Sequence, residues 1–396
     1  FFSTPTPPPP ILSGLVGSEM CIRDSHLVDI GEIVFFLLGA MTIVELVDSH
    51  QGFRIITDKI TTKNAVKLLW ILSILTFFFS AVLDNLTTAI VMAALLGKII
   101  KDRQQLLFFA GIMILSANAG GAWSPIGDIT TIMLWVGGQI TLNIVQAIII
   151  PSLVCMIVPL VYVSFKYRGV VIERPAIKSE DKANEVIPYE RNLLFILGVL
   201  GLLFVPVFKT VTHLPPYLGM LLSLGVLWTV TEIIHRNKDK KQKHSLTVVG
   251  ALSKIEASTI FFFLGILLAV GSLQSTGILN SLANILDDVF NGNLYIINIF
   301  IGFLSAILDN VPLVAGAMGM YPISDSGVFA QDGIFWEFLA YCAGTGGSVL
   351  IIGSAAGVAV MGILNAINAP IAVSYTHLRA HETREDRGWR GGGVKK

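Results

Sequence analysis

Asp84, Asp128 and Asp309 each stand inside a long apolar stretch of this 396-residue chain, beside residues that interrupt a helix. Asn85 follows the first, Ser124-Pro125-Ile126-Gly127 precedes the second, and Asn310 and Pro312 follow the third. An ionisable side chain in the middle of a membrane segment costs at least about 2.5 kcal/mol, so it marks a functional site by default. Oxygen-bearing side chains surround all three: Ser80, Asn85, Thr87 and Thr88; Asn118, Ser124, Thr130 and Thr131; Ser305, Asn310 and Ser354. Sodium is a hard cation and hard cations take oxygen ligands. Interrupted helices add free backbone carbonyls, which are tolerated where they line a cavity or are buried in protein. Two oxygen-rich cation sites are therefore the chemistry this pattern offers. The competing account makes the aspartates buried structural carboxylates and gives each hydroxyl a bond to its own helix carbonyl. Glu32 and Glu45 in the first apolar stretch are further candidates, as are Ser80 and Ser305 beside the hairpin aspartates, whereas His50 reads as an interfacial side chain.

The solvent around these carboxyls follows from composition. Hydrophobic residues are 54% of the chain and charged residues 14%, with a mean hydropathy of +0.74, too apolar for a soluble domain with an ordinary charged surface. Runs near the roughly 20 residues that cross a bilayer predict spans at 30–47, 68–97, 105–137, 141–165, 192–208, 216–234, 255–271, 294–320 and 335–366. The expected class is an all-α polytopic membrane protein. A formal net charge of zero suggests no nucleic-acid partner, and the absence of a GxxxxGK[ST] loop argues against ATP as the energy source. No cofactor is expected. Cys21, Cys155 and Cys342 lack metal-ligand spacing and read as packing residues. An intramembrane aspartyl protease would also use paired carboxyls, but Pro125-Ile126-Gly127-Asp128 lacks the first glycine of a GxGD pattern, and the chain is not read as an enzyme.

An internal repeat sets the architecture. Residues 78–85 read FFSAVLDN and residues 303–310 read FLSAILDN, an offset of 225 between Asp84 and Asp309. NAGGAWSPIGD at 118–128 aligns three glycines with GTGGSVLIIGS at 344–354, at an offset of 226. Basic residues mark cytoplasmic loops, and Lys67 and Lys98 flank the first Leu-Asp-Asn segment, whereas no Lys or Arg occurs from Ile255 to Val373. The first segment should therefore enter and return from the cytoplasmic face and the second from the opposite face, an inverted-topology repeat with its site near the midplane. Gly120, Gly121 and Pro125 should break the helix over 105–137, and Gly346 and Gly347 its counterpart. The divisions expected are repeat 1 over 26–165, polar loops with two connecting helices over 166–254, and repeat 2 over 255–373. Residues 1–25, with GLVGSEMCIRDS, and 374–396, with SYTHLRAHETRED, resemble translated sequencing-adapter read-through and are set aside as tails; truncation at both ends is expected.

With FFLLGAMTIVELVDSHQGF, SAVLDNLTTAIVMA, SANAGGAWSPIGDITTIM and SAILDNVPLVAGAMG, the chain resembles NhaD-type sodium/proton antiporters of the ion transporter superfamily over about residues 27–373. The resemblance implies ion sites at Asp84 with Asn85, Asn118 with Asp128, Thr130 and Thr131, Asp309 with Asn310, and Ser354; Thr87 joins them from the reading of the residues. It also implies exchange of sodium or lithium for protons, across a bacterial inner membrane or a plastid envelope. A homodimer is left open. Sodium/dicarboxylate symporters of the same superfamily carry Ser-Asn-Thr at the hairpin tips, where this chain carries Asp-Asn. A sodium- or proton-coupled carrier of dicarboxylate or arsenite is the alternative, and carboxylates at the tips oppose it by repelling an anion.

Overall fold

The computed structural model describes residues 10–57, 60–173, 187–236, 246–255 and 257–366. Among them there is no strand, only isolated bridges such as Asn64 with Val171. Among the described residues six helices are long and apolar enough to cross a membrane: Ile30–Ser49, Ala65–Leu83, Arg103–Ala122, Ile144–Lys166, Pro188–Thr212 and Pro216–Ile234. The pair Val248–Lys254 and Thr259–Ser275, bent by 64°, makes a seventh if it forms one span. The first of these lies in a longer helix, Pro10–Ser49, whose start falls within the stretch set aside above as a tail; residues 374–396 lie outside the described residues.

The four segments with interruptions each fold as two helices meeting at a break. Ala65–Leu83 gives way at Asp84 to Asn85–Ile99, and Leu294–Ser305 gives way through 306–309 to Asn310–Met320. Arg103–Ala122 is followed by a turn and then by Ile129–Val136. Ile334–Gly346 is followed by a short 3₁₀ turn, Ile351–Gly353, and by Ala355–Ala366. Pro312 sits in the first turn of its helix, where a missing N–H costs nothing. Ile278–Phe290 is a further helix that the apolar runs do not predict, because only one of its faces is apolar; Leu279 and Ala283 are buried from it and Asp287 accepts from the Tyr321 hydroxyl at 3.1 Å.

The two segments with the Leu-Asp-Asn motif are tied in the same way. Ser80 donates to the carbonyl of Ala117 and Ser305 to that of Ala343, so each hairpin is pinned to its broken helix at matching positions. Both hydroxyls are committed to this bond. The second broken helix ends at Gly346 as expected, but the first runs through Gly120 and Gly121 and breaks only after Ala122. What Gly120 permits is close approach, since a Cβ there would lie 2.2 Å from the carbonyl oxygen of Phe77, and at Gly346 it would lie 2.1 Å from that of Gly302. Across the halves, Asn85–Ile99 packs on Ala355–Ala366, Asn310–Met320 packs on Ile129–Val136, and the two broken helices pack on each other. His50, expected at an interface, is buried with its Nε2 2.8 Å from Nε2 of His235.

Candidate functional site

Four helices start at the centre of this arrangement, and each has a polar N-cap. Asp84 accepts from the Thr87 N–H at 2.7 Å and its hydroxyl at 2.9 Å. Asp309 accepts from the Val311 N–H at 3.1 Å. Asp128 accepts from the N–H and the hydroxyl of Thr130, both at 2.9 Å, and the Ser354 hydroxyl accepts from the Gly357 N–H at 3.2 Å. Capping satisfies N–H groups that a helix start leaves without partners. Four other helices end at the same place, so positive and negative helix ends, each worth about half a charge, nearly cancel there. The carboxyls are then the groups there that can carry a net charge.

Asp128 is the centre. It is 1% exposed, and beyond its own cap its Oδ2 takes the Asn85 amide at 2.6 Å, while the Asn310 amide lies 3.4 Å from Oδ1 and 3.3 Å from Oδ2. One asparagine thus arrives from each hairpin tip. Asn85 also donates to Asn118 Oδ1 at 3.2 Å, and Asn118 donates in turn to the hydroxyls of Ser348 and Ser354, both at 3.0 Å. All of Asp128's partners are amides, hydroxyls and a backbone N–H. Among the described residues no cationic side chain is bonded to it, although burying an unpaired carboxylate is costly.

The remaining sequence candidates divide. Thr131 is absorbed into the cap of its own helix, accepting from the Asp128 N–H at 3.1 Å and donating to the Asp128 carbonyl at 2.9 Å. Glu32 belongs to another neighbourhood: it is within charge range of Lys209, whose ammonium donates to the Trp135 carbonyl at 2.6 Å and lies over the Trp135 ring. At 1.5 Å per residue, Trp135 lies about 10 Å along the helix from Asp128. Glu45 lines a cavity of about 860 Å³ that reaches Thr87 and Asp309, with Lys254 on the same wall. Two contributors escaped the sequence reading. Ser348 stands opposite Ala122 in the aligned glycine block, so the alignment marked the position, but a serine facing an alanine gives no signal of pairing with Asn118. Lys254 ends a helix at the bend before the second half and reads as an ordinary boundary lysine.

Residues 11–346 match the citrate transporter family, CitMHS. Sodium/proton antiporter 1 of Arabidopsis thaliana is 48% identical over 353 residues, which cover 88% of this chain and 60% of that protein. Sodium/proton antiporter 2 of the same plant is 46% identical over 341 residues, covering 84% of this chain and 78% of that protein. The Na(+)/H(+) antiporter NhaD of Alkalimonas amylolytica is 32% identical over 363 residues, with 85% and 72% covered. The chain therefore spans about three fifths of the length of the first of these relatives.

Proposed function

Since this chain belongs to the citrate transporter (CitMHS) family, and within it groups with the NhaD-type sodium/proton antiporters, we propose that it exchanges sodium or lithium for protons across a membrane. The observation that carries the reading is Asp128, held by Asn85 from one hairpin tip and Asn310 from the other, with no cationic side chain bonded to it among the described residues. A carboxyl taken out of water loses part of its preference for the ionised form. A proton or a sodium ion can then restore neutrality there, but not both, and a carrier that reorients only when one of them is bound exchanges the two. In this reading Asn85, Asn118, Asn310, Thr130 and Ser354 offer oxygens to the ion around Asp128. Thr87 and Thr131 act through the caps, and Asp84 and Asp309 strengthen the local field.

The recurring pairings, hairpin to broken helix and tip helix to the opposite half's second helix, support two repeats of opposite orientation over 26–165 and 255–373, joined by 166–254. Sites between such repeats are read by rocking one half against the other. Exposed apolar side chains such as Ile150, Tyr162 and Phe165 face lipid or, over part of that surface, a second copy of the chain. The relatives come from a plant and from bacteria, in keeping with an integral membrane protein of either a bacterial inner membrane or a plastid envelope.

The family's description favours a second reading, a coupled anion carrier. Three carboxyls at the centre oppose it, because helix ends nearly cancel there and, among the described residues, the groups bonded to Asp128 are neutral. Proteoliposomes with a trapped pH dye separate the two. Added sodium should release protons in the wild type and not in Asp128→Asn, whereas sodium-dependent uptake of radiolabelled citrate without proton movement would replace the antiporter reading with the anion carrier.

A further inference from the structure

The cavity that reaches Thr87 and Asp309 has a charged wall: Glu45 and Asp48 from the first spanning helix face Lys254. The Lys254 ammonium sits 3.1 Å from Glu45 Oε1 and donates to the Ser49 hydroxyl at 2.7 Å, and that hydroxyl donates to Glu45 Oε1 at 3.2 Å. Asp48 is within charge range of Lys254 and of Lys98, the last-turn lysine of the Asn85–Ile99 helix, so this charged wall lies toward the face where the first hairpin's basic flank lies. Among the lining residues Lys254 is the only cation. A carboxylate pair that opens toward an ion path, with an ammonium already seated on it, is occupied by a competitor of the same charge as the cargo.

We propose that Lys254 is a tethered counter-cation at the mouth of this cavity, and that its exchange off Glu45 for an incoming sodium ion governs access to the central carboxyls from that face. The proposal rests on the antiporter reading above. Side-chain exposures of 47% for Lys254 and 28% for Glu45 put the pair in the range where ion pairs are weak and screened by salt. A pair of that strength opens readily and yields to a free cation, as an entry gate must. Lys254 ends the helix Val248–Lys254 at the 64° bend, so its side chain can swing away without moving the site itself. A boundary lysine with no part in transport would leave ion kinetics untouched.

The test is sodium-driven proton release by the full chain in proteoliposomes, with sodium supplied on either face. Lys254→Gln should lower the KM for sodium on the Lys254 face by about fivefold, with little change in maximal rate and none in the KM from the opposite face. Glu45→Gln leaves the ammonium at the mouth without its partner and should raise the same KM by a similar factor, whereas Lys254→Arg should match the wild type. Raising ionic strength with choline should shrink the difference between Lys254→Gln and wild type. Unchanged KM in both charge-removing variants of an active protein, or equal shifts from both faces, would overturn the gate. A wild type that moves no protons on sodium addition would instead overturn the antiporter reading.

Discussion

The two halves share one backbone device and carry different chemistry on it. Gly120 and Gly346 admit a neighbouring carbonyl at the same point, and Ser80 and Ser305 pin the hairpins to the broken helices through equivalent carbonyls. Where the first half has Asp128 the second has Ser354, and where the first has Asn118 the second has Gly344. Both Asp128 and Ser354 cap a helix at the centre, but only the first brings a charge. The tips also differ: Asp84 has φ 73 and ψ 160, a region that costs a non-glycine residue on the order of 1–3 kcal/mol, while Asp309 is relaxed at φ −57 and ψ 142. The frame is alike in the two halves, while the first carries two of the three central carboxyls and the strained backbone.

The contrast is sharpest at the caps. Asp128→Asn should abolish sodium-driven proton release, because the amide can neither take up a proton nor balance a sodium ion. Ser354→Ala, which removes a neutral partner of Asn118, should reduce it only about fivefold. Equal losses in the dye assay would mean that both halves carry the ion alike.

The shared frame predicts matching losses instead. Gly120→Ala and Gly346→Ala should each destabilise the protein by about 3 kcal/mol or more, because the added methyl meets backbone and not a flexible side chain. Thermal melting in detergent checks this, and tolerance at one position alone would break the equivalence. Glycine at residue 84 loses a cap worth about 1 kcal/mol but relieves the strained backbone. Asp84→Gly should therefore melt within a few degrees of wild type, while Asp309→Gly, with no strain to relieve, should melt distinctly lower. The smallest effects are expected for Ser80→Ala and Ser305→Ala, about 1 kcal/mol each, equal within error and without a change in sodium KM.

Much of this was legible before any coordinates. Apolar runs longer than a soluble helix needs, with carboxyls inside them, determine a membrane protein, because only a bilayer makes such runs favourable and such carboxyls costly. The repeated Leu-Asp-Asn and aligned glycines marked the positions where the halves behave alike, because close backbone approach demands the same missing side chain twice. Tertiary structure decided which oxygens meet. Asn310 reaches Asp128 across 182 residues of sequence, whereas Asp84 and Asp309 turn to their own helix starts and Thr131 is taken up by a cap. Residue type gives the donors and acceptors, but a hydrogen bond forms only within about 3 Å, and that distance is set by how the hairpins and broken helices of the two halves pack. Glu45 shows the same limit: its residue type offered a ligand, and the fold put Lys254 on it.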